Sequence, residues 1–266
     1  MAYEKEKQTA IDLALKAGKE IARIYYTGFE KEDKADGSPV TEADKMANRI
    51  IVEGIKKSFP LDSIISEEDA AVNMGGARTW HVDPLDGTRS FVKHSDTFAV
   101  HIGLALNGTP ELGIVYKPIS GECYVGVVGE GAYVIHPHGK RELKVSGKLD
   151  GMVVSMSTKI KNYESAKPFL DEVGMTNHIS VGSEGLRIMN VAENRAHFRV
   201  GDIACHSWDL CAPDAVLRAA GGAAGYLNSL DKPLYLKAEM PDRVIFARNE
   251  LLLYDTRLAY QLSKKR

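Results

Sequence analysis

Cysteine is scarce in this chain, no apolar run is long, and neither sign of charge dominates. Each shortage removes a class of protein. The three cysteines, Cys123, Cys205 and Cys211, are odd in number and show no Cys-x-x-Cys spacing. That argues against both a disulfide framework and a zinc site; buried free thiols in a reducing cytoplasm are expected instead. No apolar stretch approaches the ~20 residues that a spanning helix needs. Residues 1–10 are charged and polar, with no signal-peptide core. Lys and Arg total 34 against 36 Asp and Glu, a formal net charge of -2. Such a balance gives no global attraction to a nucleic acid polymer or an anionic membrane. Disorder does not fit either, because 44% hydrophobic and 26% charged residues are ordinary globular proportions. At roughly 150 residues per domain, 266 residues make one large domain or two small ones.

The chain shows no internal repeat and no low-complexity tract. Ile11, Ala14, Leu15, Gly18, Ile21, Ala22 and Tyr25 fall at helical spacing and predict an amphipathic helix. The polar stretch 30–39 (EKEDKADGSP) reads as a loop. A second helix follows with Ala43, Ala47, Ile50, Ile51 and Ile55 on one face; Thr41 and Asp44 form a capping pair at its start, and Phe59-Pro60 ends it. Strands are predicted at 63–66 and 79–82, then an antiparallel meander at 98–106, 111–116 and 122–128 that continues past 129–139. Beyond the segment 146–151 the texture becomes α/β. Short strands at 153–155, 178–181, 196–200 and 244–247 alternate with helices at 163–173, 186–193, 210–220 and 250–262, which implies a layered sheet.

Chemistry concentrates in the turn Asp83-Pro84-Leu85-Asp86-Gly87-Thr88. Two carboxylates stand three residues apart after a strand; Pro84 stiffens the turn and Gly87 allows close backbone approach. Backbone N–H groups there suit a phosphate, and the carboxylates suit cations that bridge to it. Alone, Asp-x-x-Asp-Gly is a common turn. Glu67 and Glu68, however, also end a predicted strand, Asp209 opens a helix after Trp208, and Asp44 sits in the first turn of another. Each has a plain reading, as a helix-terminus carboxylate or a solvated charge. Together they form a set of hard oxygen ligands that implies Mg²⁺ or a similar cation. His81 reads as a packed strand residue, His101 as a residue facing the other side of its sheet, and His206 as a candidate pocket wall beside Trp208. Lys264-Lys265-Arg266 reads as a solvated tail.

DPLDGT at 83–88, the Glu67-Glu68 pair upstream and WDLCAPDAVLRAAGG at 208–222 resemble, in that order, the inositol monophosphatase superfamily of Mg²⁺-dependent, lithium-sensitive phosphomonoesterases. SPVTEAD at 38–44 extends the resemblance over roughly residues 38–225. SPVTEAD, SEED at 66–69, DPLDGTRSFVK at 83–93 and the strand ending in LGIVYKP are closest to the 3'(2'),5'-bisphosphate nucleotidase, or CysQ-like, branch. Two departures stand out. Ser183-Glu184-Gly185-Leu186-Arg187 replaces that branch's Gly-Ser-Ser-Leu-Lys stretch, and its arginine before Trp-Asp falls at Gly201, with Arg199 two positions earlier.

The resemblance implies an αβαβα layered sandwich. Residues 1–147 would form an α+β domain carrying most metal ligands, and 148–266 an α/β domain contributing Asp209 and substrate contacts. It implies two or three Mg²⁺ ions: one held by Glu67, Asp83 and the Leu85 carbonyl, a second by Asp83, Asp86 and Asp209, and a looser third at Glu67. Ions ~3.5–4 Å apart clamp the attacking and leaving oxygens of an in-line displacement. Thr88, bonded to Asp44, would orient or deprotonate the attacking water, with Glu67 completing the catalytic set. Gly87, Thr88, Asp209 and Arg187 would contact a small phosphomonoester, and a homodimer is the implied assembly. The expected substrate is adenosine 3',5'-bisphosphate, with Arg187, or less readily Lys159, meeting the 5'-phosphate. An inositol or broad sugar phosphatase on the same fold remains open, because Glu184 suits ring hydroxyls; so does a non-catalytic metal and phosphate module. A haloacid-dehalogenase-type phosphatase needs Asp-x-Asp, one residue between its carboxylates, and here there are two.

Overall fold

The structure, a computed structural model, describes residues 3–34, 37–146, 149–158, 160–200 and 205–264. The chain opens with α1 (Glu4–Thr27), a hairpin of β1 (Lys31–Asp33) and β2 (Pro39–Thr41), and α2 (Glu42–Ser58). β3 (Ser63–Ser66), β4 (Arg78–Asp86) and the short α3 (Thr88–Val92) follow. The meander β5 (Ala99–Leu106), β6 (Thr109–Tyr116), β7 (Cys123–Val127), β8 (Gly131–His136) and β9 (Gly139–Leu143) comes next. The remainder is β10 (Val153–Ser157), α4 (Ile160–Glu172), β11 (Asn177–Val181), α5 (Glu184–Ala192), β12 (Phe198–Val200), α6 (Ser207–Ala219), β13 (Ala223–Tyr226), β14 (Val244–Ala247) and α7 (Glu250–Ser263).

Two sheets organise these elements. β3 to β9 lie side by side in chain order; β3 and β4 are parallel and the rest antiparallel. The other sheet has the order β11-β10-β12-β14-β13, parallel among its first three strands and antiparallel beyond. Alternation along the strands sends Val100, Ile102, Ile114 and Val125 to one face, where they pack with Ile21, Ala47 and Ile51 of α1 and α2. The opposite face buries α5 and α6 against the second sheet through Met189, Leu210, Val216 and Phe246. Phe169, Leu170 and Leu253 of α4 and α7 cover the outer side of that sheet. The result is the expected αβαβα layering.

A row of glycines sets the closeness of the two halves. His81 pairs across β5 with Gly103, which pairs with Gly113, which pairs with Gly126. A Cβ at Gly103, Gly113 or Gly126 would lie 2.7, 2.0 or 2.5 Å from backbone atoms of Ala212 or Val216. α6 therefore rests directly on the sheet's backbone, and its N-terminal end comes beside the end of β4.

Several elements differ from the sequence reading. Residues 31–33 and 39–41 pair as a two-stranded ribbon where a loop was expected over 30–39. All three β1 residues are exposed, so no apolar alternation announces the strand. The Asp83–Asp86 segment stays in the sheet. β4 runs on to Asp86 with a register irregularity after Asp83, which accommodates Pro84. β13 (Ala-Ala-Gly-Tyr) is a strand without a β-branched residue to mark it. α1 buries Leu13 and leaves Leu15 43% exposed. The chain passes between the sheets after Leu143 and before Val153. Gly147 and Lys148, at the expected domain boundary, lie outside the described residues, as do Lys159, Gly201, Lys265 and Arg266.

Candidate active site

Three chain segments converge where β4, α6 and α5 meet. Asp83 and Asp86 sit near the end of β4, and Asp209 is the third residue of α6. One carboxylate oxygen from each lies within 4.8 Å of the others. Each aspartate also spends an oxygen on a protein donor. Asp83 Oδ1 accepts the Leu85 N–H at 3.0 Å. Asp86 Oδ2 accepts the Ser183 hydroxyl at 2.5 Å and the Gly185 N–H at 2.8 Å. Asp209 Oδ2 accepts the His206 N–H at 2.6 Å, closing the capping box of α6. The second oxygen of each has no protein donor among the described residues.

The plain reading of these carboxylates as helix caps is thus true of Asp209 and of Asp44, and neither role is exclusive. Thr41 is the N-cap of α2, and its N–H and hydroxyl donate to Asp44 Oδ2 at 2.7 and 2.6 Å. Asp44 Oδ1 accepts the Thr88 hydroxyl at 3.0 Å, and the Leu85 carbonyl lies 3.2 Å from that hydroxyl. Burial, the largest influence, raises the Asp44 pKa above the usual carboxylate range. Thr88 begins α3 directly after Gly87, whose φ of 95° is left-handed backbone that favours glycine.

Electrostatically the cluster is only partly compensated. Burial, then the charges of Glu67, Asp86 and Asp209, push the Asp83 carboxyl well above its ordinary range. No lysine or arginine pairs with Asp83, Asp86 or Asp209 among the described residues. Glu67 stands beside the three and is raised to about 7, by burial first, against the opposing pull of Lys34. Lys34, carried by the β1–β2 hairpin, bonds Glu67 at 2.8 Å and Glu68 at 2.5 Å, so neither glutamate is merely solvated. Like charges crowded together with too little counter-charge are costly. Hard oxygen donors at this spacing fit a divalent cation of the magnesium type.

The cluster opens into a cavity of about 600 Å³, a size suited to a small organic ligand. Asp83, Leu85, Asp86, Gly87, Thr88 and Asp209 line it, and so do Arg89, Lys93 and Arg187. Arg187 does not project there as a bare cation: it pairs with Glu184 Oε2 at 2.6 Å, and both are nearly buried. Glu184 also pairs with Arg199, which is fully buried and bonds the Val244 carbonyl and the Cys205 sulfur. One carboxylate thus serves two guanidiniums. His206 stacks on Trp208 at 4.5 Å and lines the cavity. His101 is not simply on a far face: its Nε2 is 3.3 Å from Asp86 Oδ2. His81 is a packed strand residue, as expected, and burial lowers its pKa to about 4. The roles of Lys34 and Ser183 were not anticipated. Ser183 had a signal, since it is the N-cap of α5.

The inositol monophosphatase family profile matches residues 2–257. Nus factor SuhB of Pasteurella multocida is 32% identical over 228 residues, which is 80% of this chain and 83% of that protein. The 3'(2'),5'-bisphosphate nucleotidase CysQ of Escherichia coli is 35% identical over 215 residues, or 79% of this chain and 85% of that one. The crystal structure of CysQ from Bacteroides thetaiotaomicron superimposes with a TM-score of 0.79 at 29% identity, covering 94% of this chain and 99% of that chain. Among the described residues, no helix is long and apolar enough to cross a membrane.

Proposed function

The chain belongs to the inositol monophosphatase family of phosphatases, and from that premise we propose that it is a magnesium-dependent 3'(2'),5'-bisphosphate nucleotidase that releases the 3'-phosphate of adenosine 3',5'-bisphosphate. Its relatives divide between SuhB and CysQ, so the site itself supports the choice of substrate. The observation that carries it is the buried pairing of Arg187 and Arg199 with the single carboxylate of Glu184. Two positive charges against one negative leave a surplus cation on the cavity wall, at Arg187. A substrate with a second phosphate uses that surplus. An inositol pocket would use Glu184 toward ring hydroxyls, and here that carboxylate is taken up by the two arginines.

Asp83, Asp86 and Asp209, with the Leu85 carbonyl and Glu67, would hold two or three magnesium ions; Glu67 would exchange its Lys34 partner for one of them. Bound there, the metal supplies positive charge against the phosphate and lowers the pKa of the attacking water. The protein's own groups do the rest. Thr88 donates its hydroxyl proton to Asp44, which leaves its oxygen lone pairs to accept a proton from water. The water oxygen bonds to phosphorus, the ester P–O bond breaks, and the water's proton passes toward Thr88 and Asp44. The leaving ribose oxygen takes a proton from solvent water, and the proton received by Asp44 returns to solvent, so AMP and phosphate form with no net proton left on the protein. Gly87 and Thr88 line the cavity at the start of α3 and would border the scissile phosphate.

The test is kcat/KM for adenosine 3',5'-bisphosphate, inositol 1-phosphate and fructose 1,6-bisphosphate side by side. The nucleotide should lead by at least tenfold, about 1.4 kcal/mol of transition-state binding, and Arg187→Ala should erase that lead. A tenfold preference for inositol 1-phosphate would overturn the assignment.

A further inference from the structure

Asp83 and Asp209 come from different halves of the molecule, so something must fix their separation. The glycine row under α6 fixes how closely the helix approaches the sheet. Such contacts are van der Waals and non-directional; they set the spacing without pairing particular polar atoms of β4 and α6. Among the described residues, one directional bond joins the two elements at the relevant end. His81 Nδ1 lies 2.9 Å from Ser207 Oγ, and both side chains are fully buried. His81 precedes Asp83 by two positions on β4, and residues two apart on a strand share a face. Ser207 precedes Asp209 by two positions and is the first residue of α6. The Ser207 N–H is already spent on the Ala238 carbonyl at 2.7 Å, so the hydroxyl is its link to the first sheet.

We propose that the His81–Ser207 hydrogen bond is a positioning tie that holds the start of α6 in register with β4 and thereby sets the Asp83–Asp209 separation for the bound cation. His81 and Ser207 are positioning residues that touch neither metal nor substrate. The inference rests on the metal reading above. A histidine that merely filled the core would affect stability and leave metal affinity unchanged.

The test is isothermal titration calorimetry of Mg²⁺ into metal-stripped full-length protein, with the melting temperature in EDTA recorded for each variant. Ser207→Ala removes one buried oxygen, and His81→Leu replaces the ring with an apolar side chain. Each should weaken Mg²⁺ binding about tenfold, as loss of a supporting bond around metal ligands does. The double variant should be no weaker than the weaker single, because one bond is lost in all three. His81→Asn places an amide near the former Nδ1 and should recover most of the affinity. Binding within about twofold of wild type in Ser207→Ala, whatever its melting temperature, overturns the tie; so do losses that multiply in the double variant. If these variants bind normally while Asp86→Asn does not, the metal reading stands and the tie falls. If the wild type takes up no Mg²⁺, both fall together.

Discussion

Replacing Asp86 by asparagine should separate charge from structure at the candidate site. The Asp86 Oδ2 atom accepts from the Ser183 hydroxyl and the Gly185 N–H. An asparagine oxygen accepts both, so the anchor between β4 and the start of α5 persists. The change also relieves repulsion, because the Asp86 charge is among those that raise Asp83. The melting temperature in EDTA should therefore stay level or rise. With metal present the balance reverses. A neutral amide that presents N–H groups replaces an anionic ligand, and the charge opposing the phosphate in the transition state is lost. Removing one electrostatic stabiliser of this kind costs about 10²–10³ in rate, or about 2.7–4 kcal/mol. The assay is kcat/KM for phosphate release across a Mg²⁺ titration, beside thermal melts with and without EDTA. Turnover within tenfold of wild type at saturating Mg²⁺ would refute the reasoning. A sharp drop in the EDTA melting temperature would refute its structural half.

Three further expectations follow from the geometry. Thr88→Val deletes the hydroxyl that bonds Asp44; it should lower kcat by about 10²–10⁴ with little change in KM, and Thr88→Ser should restore most of the rate, so a KM-only effect would count against it. Glu67, raised to about 7 in the folded protein, and Asp83, raised well above its ordinary range, bind protons more tightly when folded than unfolded. The Glu67 contribution is complete at low pH and lost as pH rises through about 7, and that of Asp83 has the same sign, so the metal-free melting temperature should fall between pH 5 and pH 8, Mg²⁺ should restore it, and a rise over that interval would contradict the assignment. Gly113→Ala would drive a Cβ to 2.0 Å from the Ala212 carbonyl oxygen; the displacement of α6 should cost about 3 kcal/mol in urea unfolding, and an unchanged midpoint would show that the trough does not confine the helix.

Legibility in the sequence tracked how much of each feature is local. The capping pair Thr41 and Asp44 was readable because a capping box is a four-residue pattern, and the structure forms it. The meander was readable because each strand carries its own apolar alternation and turn. Asp83, Asp86 and Asp209 were readable because their motifs are dense with acidic, proline and glycine residues, which placed them as candidates before any contact was known. The β1–β2 hairpin escaped because its exposed strand has no core face to announce it. The continuation of β4 to Asp86 escaped because Asp-Pro-Leu-Asp-Gly spells a turn locally, while pairing with β5 decides otherwise. The pairing of Glu184 with Arg187 and Arg199 depends on three backbones meeting in space, and the grip of Lys34 on Glu67 spans 33 residues. Neither has a local signature.

The most direct measurement of the central claim is identification of the product formed from adenosine 3',5'-bisphosphate by metal-stripped protein as Mg²⁺ is returned. The carboxylate cluster and the surplus cation at Arg187 together predict no phosphate release in EDTA, a saturable recovery with Mg²⁺, and AMP as the nucleotide product. Undiminished release in EDTA, or no release at any Mg²⁺ concentration, would contradict the account.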